Sequence, residues 1–514
     1  MDRTGSRSQI TAMRLRAGRS RRLLAPLLAL ASPILAEAQT ASEIPRVWDP
    51  EALEAFLIPL AHAPASPGTM PPEDYERIPT APIYRSYPIY HPDREPPGYL
   101  ESLARVEPEI VFDASALKTE ADWVRAGRLV FENQLPPFIP LEVLGSVRRR
   151  EPYGDGGFPV TGDGVTPFMR YAVSEKGRVE VGASCAFCHV RVLDDGTLVP
   201  GAPGNQPIAK DNARLLRRVL EGAGDPAPVL KRFPFFEPGF WRAPWLDPDP
   251  TDRLARLPPA RWPEVWESFP TGVLPRHSGM AHPAVIPDLI GVEDRRYLER
   301  TGYARHRSIG DLMRYAALVT VADRFTGFGE YLDPPFRDPG RARRYSDAQL
   351  YALARYIYSL EPPPNPNPVS PETERGEAVF FREGCDECHT PPLYTNNALV
   401  PAPGFEVPAA HREQLAVMSK RIGTDPGMAT RTRRGTGYYK VPSLRGVWYR
   451  GPFGHSGSVA RLEEWFDPAR LRDDWIPTGF AGWGVETRGV PGHRFGTDLE
   501  PGEKAALVAF LRTL

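Results

Sequence analysis

The sequence predicts a helical, loop-rich protein built as two domains in tandem. Three observations carry that expectation. A Cys-x-x-Cys-His pattern occurs twice, as Cys185-Ala186-Phe187-Cys188-His189 and Cys385-Asp386-Glu387-Cys388-His389. Each copy has segments of helical periodicity on both sides. The two copies are separated by Pro362-Pro363-Pro364-Asn365-Pro366-Asn367-Pro368, a composition that makes a stiff extended linker.

Taken in order, residues 1–38 read as an export signal. Arg14, Arg16, Arg19, Arg21 and Arg22 form a basic head, Leu23 to Ala36 is apolar, and Ala36-Glu37-Ala38 offers a small-x-small cleavage site. The apolar run is short for a membrane span. Its removal takes away seven of the 63 basic residues and two of the 64 acidic ones, leaving a net charge of −6. The expectation is a periplasmic or secreted protein with no stable membrane span. No basic stripe points to nucleic acid. With 60 Pro and 45 Gly in 514 residues, Pro is about twice its average usage of roughly 5%, so long Pro-rich loops are expected.

Residues 39–110 are expected to be an irregular, Pro-rich extension that wraps the surface. The first domain is placed at 111–362. Ala121 to Gln134 shows a broad apolar side, with Val124, Leu129, Val130 and Phe131, and predicts a helix. About 50 residues then intervene before Cys185, which marks an insertion. Lys231 to Pro283 is dense in aromatics and Pro, including Trp241, Trp245, Trp262 and Trp266. Helices are expected over Ser308 to Leu318 and Ser346 to Leu360, the latter opened by a capping box of Ser346 and Gln349. After the linker, 363–371, comes the second domain, 372–514. Ser370 and Pro371 suit a helix start, and that helix runs to Phe381 and into Cys385. A last helix covers Pro501 to Leu514, with Leu507, Phe510, Leu511 and Leu514 on one face.

The cysteine pattern carries the chemistry. Cys-x-x-Cys-His is the c-type haem attachment signature. Two thiols add across two haem vinyl groups, and the following His supplies the proximal nitrogen to iron. Redox Cys-x-x-Cys pairs, zinc and disulfides are the alternatives. None of them explains why all four cysteines fall in this pattern with His after each pair. The expectation is two covalently bound haem c groups, on Cys185/Cys188/His189 and Cys385/Cys388/His389.

Three stretches resemble the bacterial dihaem cytochrome c peroxidase superfamily, which includes the dihaem enzyme that matures a tryptophan-derived quinone and the dihaem rubber oxygenases. They are Gly376-Glu377-Ala378-Val379-Phe380 leading into Cys385; Val441-Pro442-Ser443-Leu444-Arg445 followed by Gly451-Pro452-Phe453-Gly454-His455-Ser456-Gly457-Ser458; and Gly492-His493-Arg494-Phe495-Gly496-Thr497. The last of these leans toward the rubber-oxygenase-like branch, as do Ile286-Pro287-Asp288-Leu289-Ile290-Gly291 and Arg305-His306-Arg307-Ser308. The resemblance covers about 372–514 well, 110–362 loosely and 39–110 not at all. It implies an all-α fold class: two cytochrome c-type haem domains packed with facing haems.

The resemblance also implies roles. His493 is the expected distal ligand of the second haem, with His455 the second choice. In the peroxidases a Met about fourteen residues after the equivalent of His455 fills that place; here the position is Ala469, which cannot ligate. For the first haem an open or displaceable sixth position is expected, so His189, its proximal ligand, is the catalytic candidate. His277, His282, His306, Met169 and Met280 are possible occupants. Arg445 is expected to pair with a haem propionate, and one of the four tryptophans to relay electrons between the haems. Related peroxidases hold calcium between the domains, but no acidic cluster here marks such a site. Two functions stay open. One is an oxidoreductase that uses peroxide or dioxygen, or cleaves an organic substrate, at the first haem and stores or relays an electron at the second. The other is a non-catalytic electron carrier. Either needs a periplasmic electron donor or acceptor.

Overall fold

The computed structural model describes residues 44–133, 138–141, 145–154, 156–175, 177–222, 224–275, 279–334, 338, 340 and 342–514. The export signal and His277 lie outside the described residues. Helix formation follows the local signals closely. Helix α1, Glu120–Glu132, is capped by Thr119 and Asp122 in a capping box. Helix α2 spans Ile208–Glu221 and α3 Ile309–Thr320. Helix α4, Asp347–Tyr358, opens with the expected Ser346–Gln349 box, and α5, Pro371–Arg382, with Ser370 as cap and Pro371 at its first position. Helix α6 is Pro501–Arg512.

The same helix crossing is built twice. In α1 the buried face is Trp123, Ala126, Gly127, Val130 and Phe131, the spacing of one helical stripe. Gly127 lies against α4 so closely that a Cβ there would overlap the Ala352 carbonyl. In α5, Gly376 lies against α6 in the same way, and a Cβ would overlap the Ala506 carbonyl. Phe131 and Phe380 fill the space beside each crossing, both essentially inaccessible to water. Burying one such ring contributes about 1.5–3 kcal/mol.

The all-α expectation is overturned. The described residues are 37% helical and 11% strand. An antiparallel sheet of four strands is built from β1 (Ser86–Tyr90), β2 (Ile139–Pro140), β3 (Val165–Val173) and β4 (Val179–Ala183), in the order β1-β3-β4-β2. Tyr171 pairs with Tyr87 on one side and Val181 on the other. The reason is legible in β3: Met169, Tyr171 and Val173 alternate inward and are buried, the period of a strand. The insertion ahead of Cys185 therefore carries a sheet. Four two-stranded pairs add to it among the described residues: Val190–Val192 with Leu198–Pro200, Val273–Leu274 with Ala284–Val285, Tyr297–Leu298 with Ala304–Arg305, and Leu399–Pro401 with Tyr438–Lys440.

The Pro-rich extension does more than wrap the surface. Val47, Trp48, Phe56, Tyr75, Ile78 and Ile83 are buried, in the same core as residues of α1, α3 and α4. Its helices are too short (Pro50–Leu53, Pro72–Arg77 and Tyr99–Leu103) to show a period in the sequence. A second core gathers the aromatics Phe236, Trp241, Trp262, Trp266 and Phe269 against α2 and β3. A third joins α5 and α6 to Val447, Leu462 and Phe466. Ala38–Leu514 forms one compact unit.

Candidate functional site

Each Cys-x-x-Cys-His pattern folds as a tight turn. In the first, the His189 amide donates to the Cys185 carbonyl at 3.0 Å; in the second, His389 does the same to Cys385 at 2.9 Å. The turn brings the His imidazole back beside its two thiols. Burial pushes the Cys385 thiol up to about 11, with Glu383 and Asp386 adding to it, and raises Cys388 as well. A redox Cys-x-x-Cys pair needs the opposite shift.

Each of these imidazoles is oriented by a carbonyl. His189 Nδ1 lies 3.1 Å from the Pro287 oxygen. His389 Nδ1 lies 3.2 Å from the Pro442 oxygen and 3.2 Å from that of Tyr394. An Nδ1–H committed to a carbonyl leaves Nε2 as a lone-pair donor, the usual arrangement behind a metal-bound His. The two prolines stand in matching segments, Ile286-Pro287-Asp288-Leu289-Ile290-Gly291 and Val441-Pro442-Ser443-Leu444-Arg445-Gly446. Each segment runs into a 3-10 turn, Val292–Asp294 and Val447–Tyr449.

A cavity of about 290 Å³ is lined by Cys385, Cys388, His389, Phe380, Leu507 and Leu511, and on another wall by His493. The ring centres of His389 and His493 are 6.4 Å apart. Two imidazoles that bind one metal from opposite sides, each with nitrogen about 2 Å from it, place their ring centres about 6 Å apart. The spacing therefore fits one metal-centred group between them, with apolar walls for a flat macrocycle and two thiols at its edge.

His493 is held on every side. Its amide donates to the Ile422 carbonyl at 2.9 Å, and its backbone takes the left-handed φ of +45°. Trp465 Nε1 donates to its Nδ1 at 3.2 Å, which puts the neutral ring's proton on Nε2; as a neutral metal ligand through Nε2, His493 would carry the proton on Nδ1 instead and give up the bond to Trp465. Burial, with His389 second, pushes its pKa down to about 3, so the ring stays neutral. Behind it sits Arg470, with no exposure to water. Its guanidinium donates to the carbonyls of Trp465 (2.6 Å), Val490 (2.7 Å), Gly492 (3.1 Å) and His493 (2.7 Å).

His455 lines the same cavity but is otherwise engaged. It stacks on Tyr439 with ring centres 4.6 Å apart. Burial pushes its pKa down, and the Asp425 carboxylate opposes that. His282 packs against the backbone of Gly427, and burial lowers its pKa too. His306 has both ring nitrogens bonded, to the Arg295 carbonyl and the Tyr358 hydroxyl, each at 2.7 Å. Met169 and Met280 sit in the aromatic core.

Arg445 is placed elsewhere. It is half-exposed, 3.6 Å from Asp294, and lines a separate pocket of about 420 Å³ with Ile290, Pro362, Tyr394 and Leu514. The cations on the His389 cavity are Arg295, Arg300, Lys440 and Arg450, with Lys420. Of the four tryptophans, Trp241, Trp262 and Trp266 donate to the carbonyls of Phe235, Leu257 and Phe236 inside the aromatic core, and Trp245 stacks on Phe328. The tryptophan on the cavity wall is Trp465, which stands beyond the segment where the sequence directed attention. The Pro287 and Pro442 carbonyls were also missed, although the repeated Pro-x-Leu-x-Gly pattern was there to find them. Among the described residues no group of three or more His, Cys, Asp or Glu side chains is arranged to hold a metal ion, and no helix is long and apolar enough to cross a membrane.

No protein-family model matches the chain. A curated relative, the cytochrome-c peroxidase IdrP1 of Denitromonas iodatirespirans, is 31% identical over 114 residues. That match covers 19% of this chain and 30% of the relative's length. Among solved structures, the dihaem peroxidase BthA of Burkholderia thailandensis E264 is similar over 85% of this chain and 94% of its own, at 18% identity and a TM-score of 0.29. A MauG-like protein associated with microbial copper homeostasis covers 48% of this chain and 79% of its own, at 18% identity and a TM-score of 0.30. TM-scores at this level do not establish a shared fold.

Proposed function

We propose, for a chain that belongs to the bacterial dihaem cytochrome c peroxidase superfamily, the role of an exported dihaem c-type oxidoreductase. The reading gives its two sites different tasks. The observation that most supports it is the 6.4 Å facing pair of His389 and His493. When bound, the haems supply the redox chemistry of peroxide or dioxygen.

The chain's own residues do the rest. Cys385 and Cys388 would tether one macrocycle, and His389 and His493 would hold its iron. A site filled on both faces passes or stores an electron and does not take an exogenous ligand. Arg470 keeps the backbone at His493 in place. Cys185 and Cys188 tether the other macrocycle. His189, aimed by the Pro287 carbonyl, would hold that iron, where the haem would supply the chemistry of peroxide or dioxygen, and this makes His189 the catalytic ligand. His306 is committed to Arg295 and Tyr358 and does not compete for that iron. A soluble periplasmic donor or acceptor completes the cycle.

Electron paramagnetic resonance of the oxidised protein tests this. The expected result is one low-spin ferric signal beside one high-spin signal, with His493→Ala converting the low-spin signal to high spin. Two low-spin haems in both redox states, with no binding of cyanide, would make the protein a carrier instead. A low-spin signal that survives His493→Ala would remove His493 from the iron.

A further inference from the structure

The wall of the His389 cavity holds more positive charge than its own carboxylates balance. Asp288 accepts from Arg450 Nε at 2.8 Å and from the Tyr449 hydroxyl at 3.1 Å. Glu299 accepts from Arg434 at 3.0 Å. Both carboxylates are thereby matched to other cations. Arg295 donates to the carbonyls of Asp288 and Ile290, and Lys440 Nζ donates to the carbonyl of Tyr297 at 3.2 Å; these are neutral acceptors. Arg300 Nε is shielded from water and has no hydrogen-bond partner. All three side chains line the cavity. Burial pushes Arg300 down to about 10, and the like charges of Arg450 and Arg295 push it further the same way. Lys440 falls well below its ordinary value by burial, with Arg295 and Arg300 next.

Buried cations that face one another are costly unless an anion sits between them. The cavity they share is the one whose opposite wall carries Cys385, Cys388, His389 and His493. We propose that Arg300 and Lys440, backed by Arg295, receive the carboxylates of the haem held at His389. The inference rests on the reading that a haem is bound there. A guanidinium with a free Nε–H can take a carboxylate through two parallel bonds, whereas an ammonium serves as a point charge. Arg445, which the motif suggests for this task, faces Asp294 and a different pocket. The receiving residues come from two parts of the chain. Arg295 and Arg300 follow the Pro287 segment and Lys440 precedes Pro442, so one pair of carboxylates ties together the two segments whose carbonyls aim His189 and His389.

The test uses the full-length dihaem protein, with Arg300→Gln and Lys440→Met as charge-removing variants and Arg300→Lys as the charge-retaining one. The readout is the midpoint potential of the low-spin haem by spectroelectrochemical titration. Taking away a cation beside its carboxylates favours the ferric state, so the one-electron reduction equilibrium falls about tenfold in each charge-removing variant, which is 59 mV. Arg300→Lys stays within about threefold of the parent. The wild-type potential does not move between phosphate-free buffer and saturating phosphate. Unchanged potentials in both charge-removing variants overturn the inference. A wild-type potential that follows phosphate also overturns it, because a free anion then occupies the cations. Mass spectrometry of the denatured chain separates the two levels: no porphyrin on Cys385 and Cys388 sinks the haem reading itself, whereas bound porphyrin with unmoved potentials sinks only this proposal.

Discussion

Substituting Arg470 by Met removes a buried side chain that ties the His493 loop to the helical turn at Trp465. The guanidinium donates to four carbonyls, at 2.6 to 3.1 Å, and lies 4.7 Å from the centre of the Trp465 ring. A hydrogen bond from a charged donor contributes about 1.5–3 kcal/mol net. Four of them would sum to about 6–12 kcal/mol, several times the roughly 0.5–3 kcal/mol of a usual single substitution, so part is recovered: desolvating the guanidinium opposes them, and burial with the nearby Arg494 already pushes its pKa down to about 10. Met fills much of the volume but leaves the carbonyls without donors, and Arg470 is fully shielded, so water replaces them poorly. The expected loss is about 3–5 kcal/mol. In a unit of this size that lowers Tm by about 5 °C. Calorimetry checks the stability, and the low-spin ferric signal checks the loop: in Arg470→Met it weakens or converts to high spin as His493 is released. Arg470→Lys, which keeps one or two of the bonds, falls between. A Met variant within about 1 kcal/mol of the parent and with an intact low-spin signal would refute the account of Arg470 as the clamp on His493.

Two further expectations concern the frame. Gly376→Ala forces a Cβ into the Ala506 carbonyl, and two packed helix backbones cannot rotate away from it; the expected cost is about 2–4 kcal/mol in a denaturant titration, whereas Gly502→Ala in the same pair of helices meets nothing within 4 Å and stabilises by about 0.4–1 kcal/mol. His306 is buried with its pKa lowered, burial being the main cause. Below the ordinary His value of about 6.5 the unfolded chain therefore binds a proton that the folded chain refuses. That contribution to stability is complete above pH 6.5 and is lost as pH falls toward the lower folded value, so Tm between pH 7 and 5 should fall less steeply in His306→Gln than in the parent.

What the sequence made legible was whatever rests on local chemistry. The apolar side of α1, the capping box of α4, the Ser370–Pro371 start of α5 and the apolar stripe of α6 each depend on residues within one or two turns, and each helix stands where the pattern put it. The two Cys-x-x-Cys-His turns are of the same kind. The sheet was not foreseen because β1 and β3 lie about 80 residues apart and β2 has two residues; pairing at that distance leaves no local period, although Met169, Tyr171 and Val173 alternate within β3. The prolines of the extension hid its contribution to the core for the same reason. Arg445 shows the limit of motif transfer: the residue is present, but its side chain turns to Asp294, while Arg300 and Lys440, outside any motif that assigns them, line the cavity.

The duplication makes the differences between the halves informative. Gly127 on Ala352 corresponds to Gly376 on Ala506, and the Pro287 carbonyl on His189 corresponds to that of Pro442 on His389. Those shared parts are what any His-anchored site on this frame requires, so they cannot distinguish one site from the other. What differs is what was added. The second half carries a loop that brings His493 to 6.4 Å from His389 and a buried arginine that keeps it there. The first half carries a four-stranded sheet ahead of its motif and an aromatic core beyond it. A helix pair, a turn and a carbonyl suffice to hold a site from one side. A clamped second imidazole has a use where the other side of a site is to be filled, which is the task proposed for the second half. The second half thus elaborates the shared frame in the direction its proposed task requires, which is why storage is assigned to His389 and catalysis to the remaining site at His189.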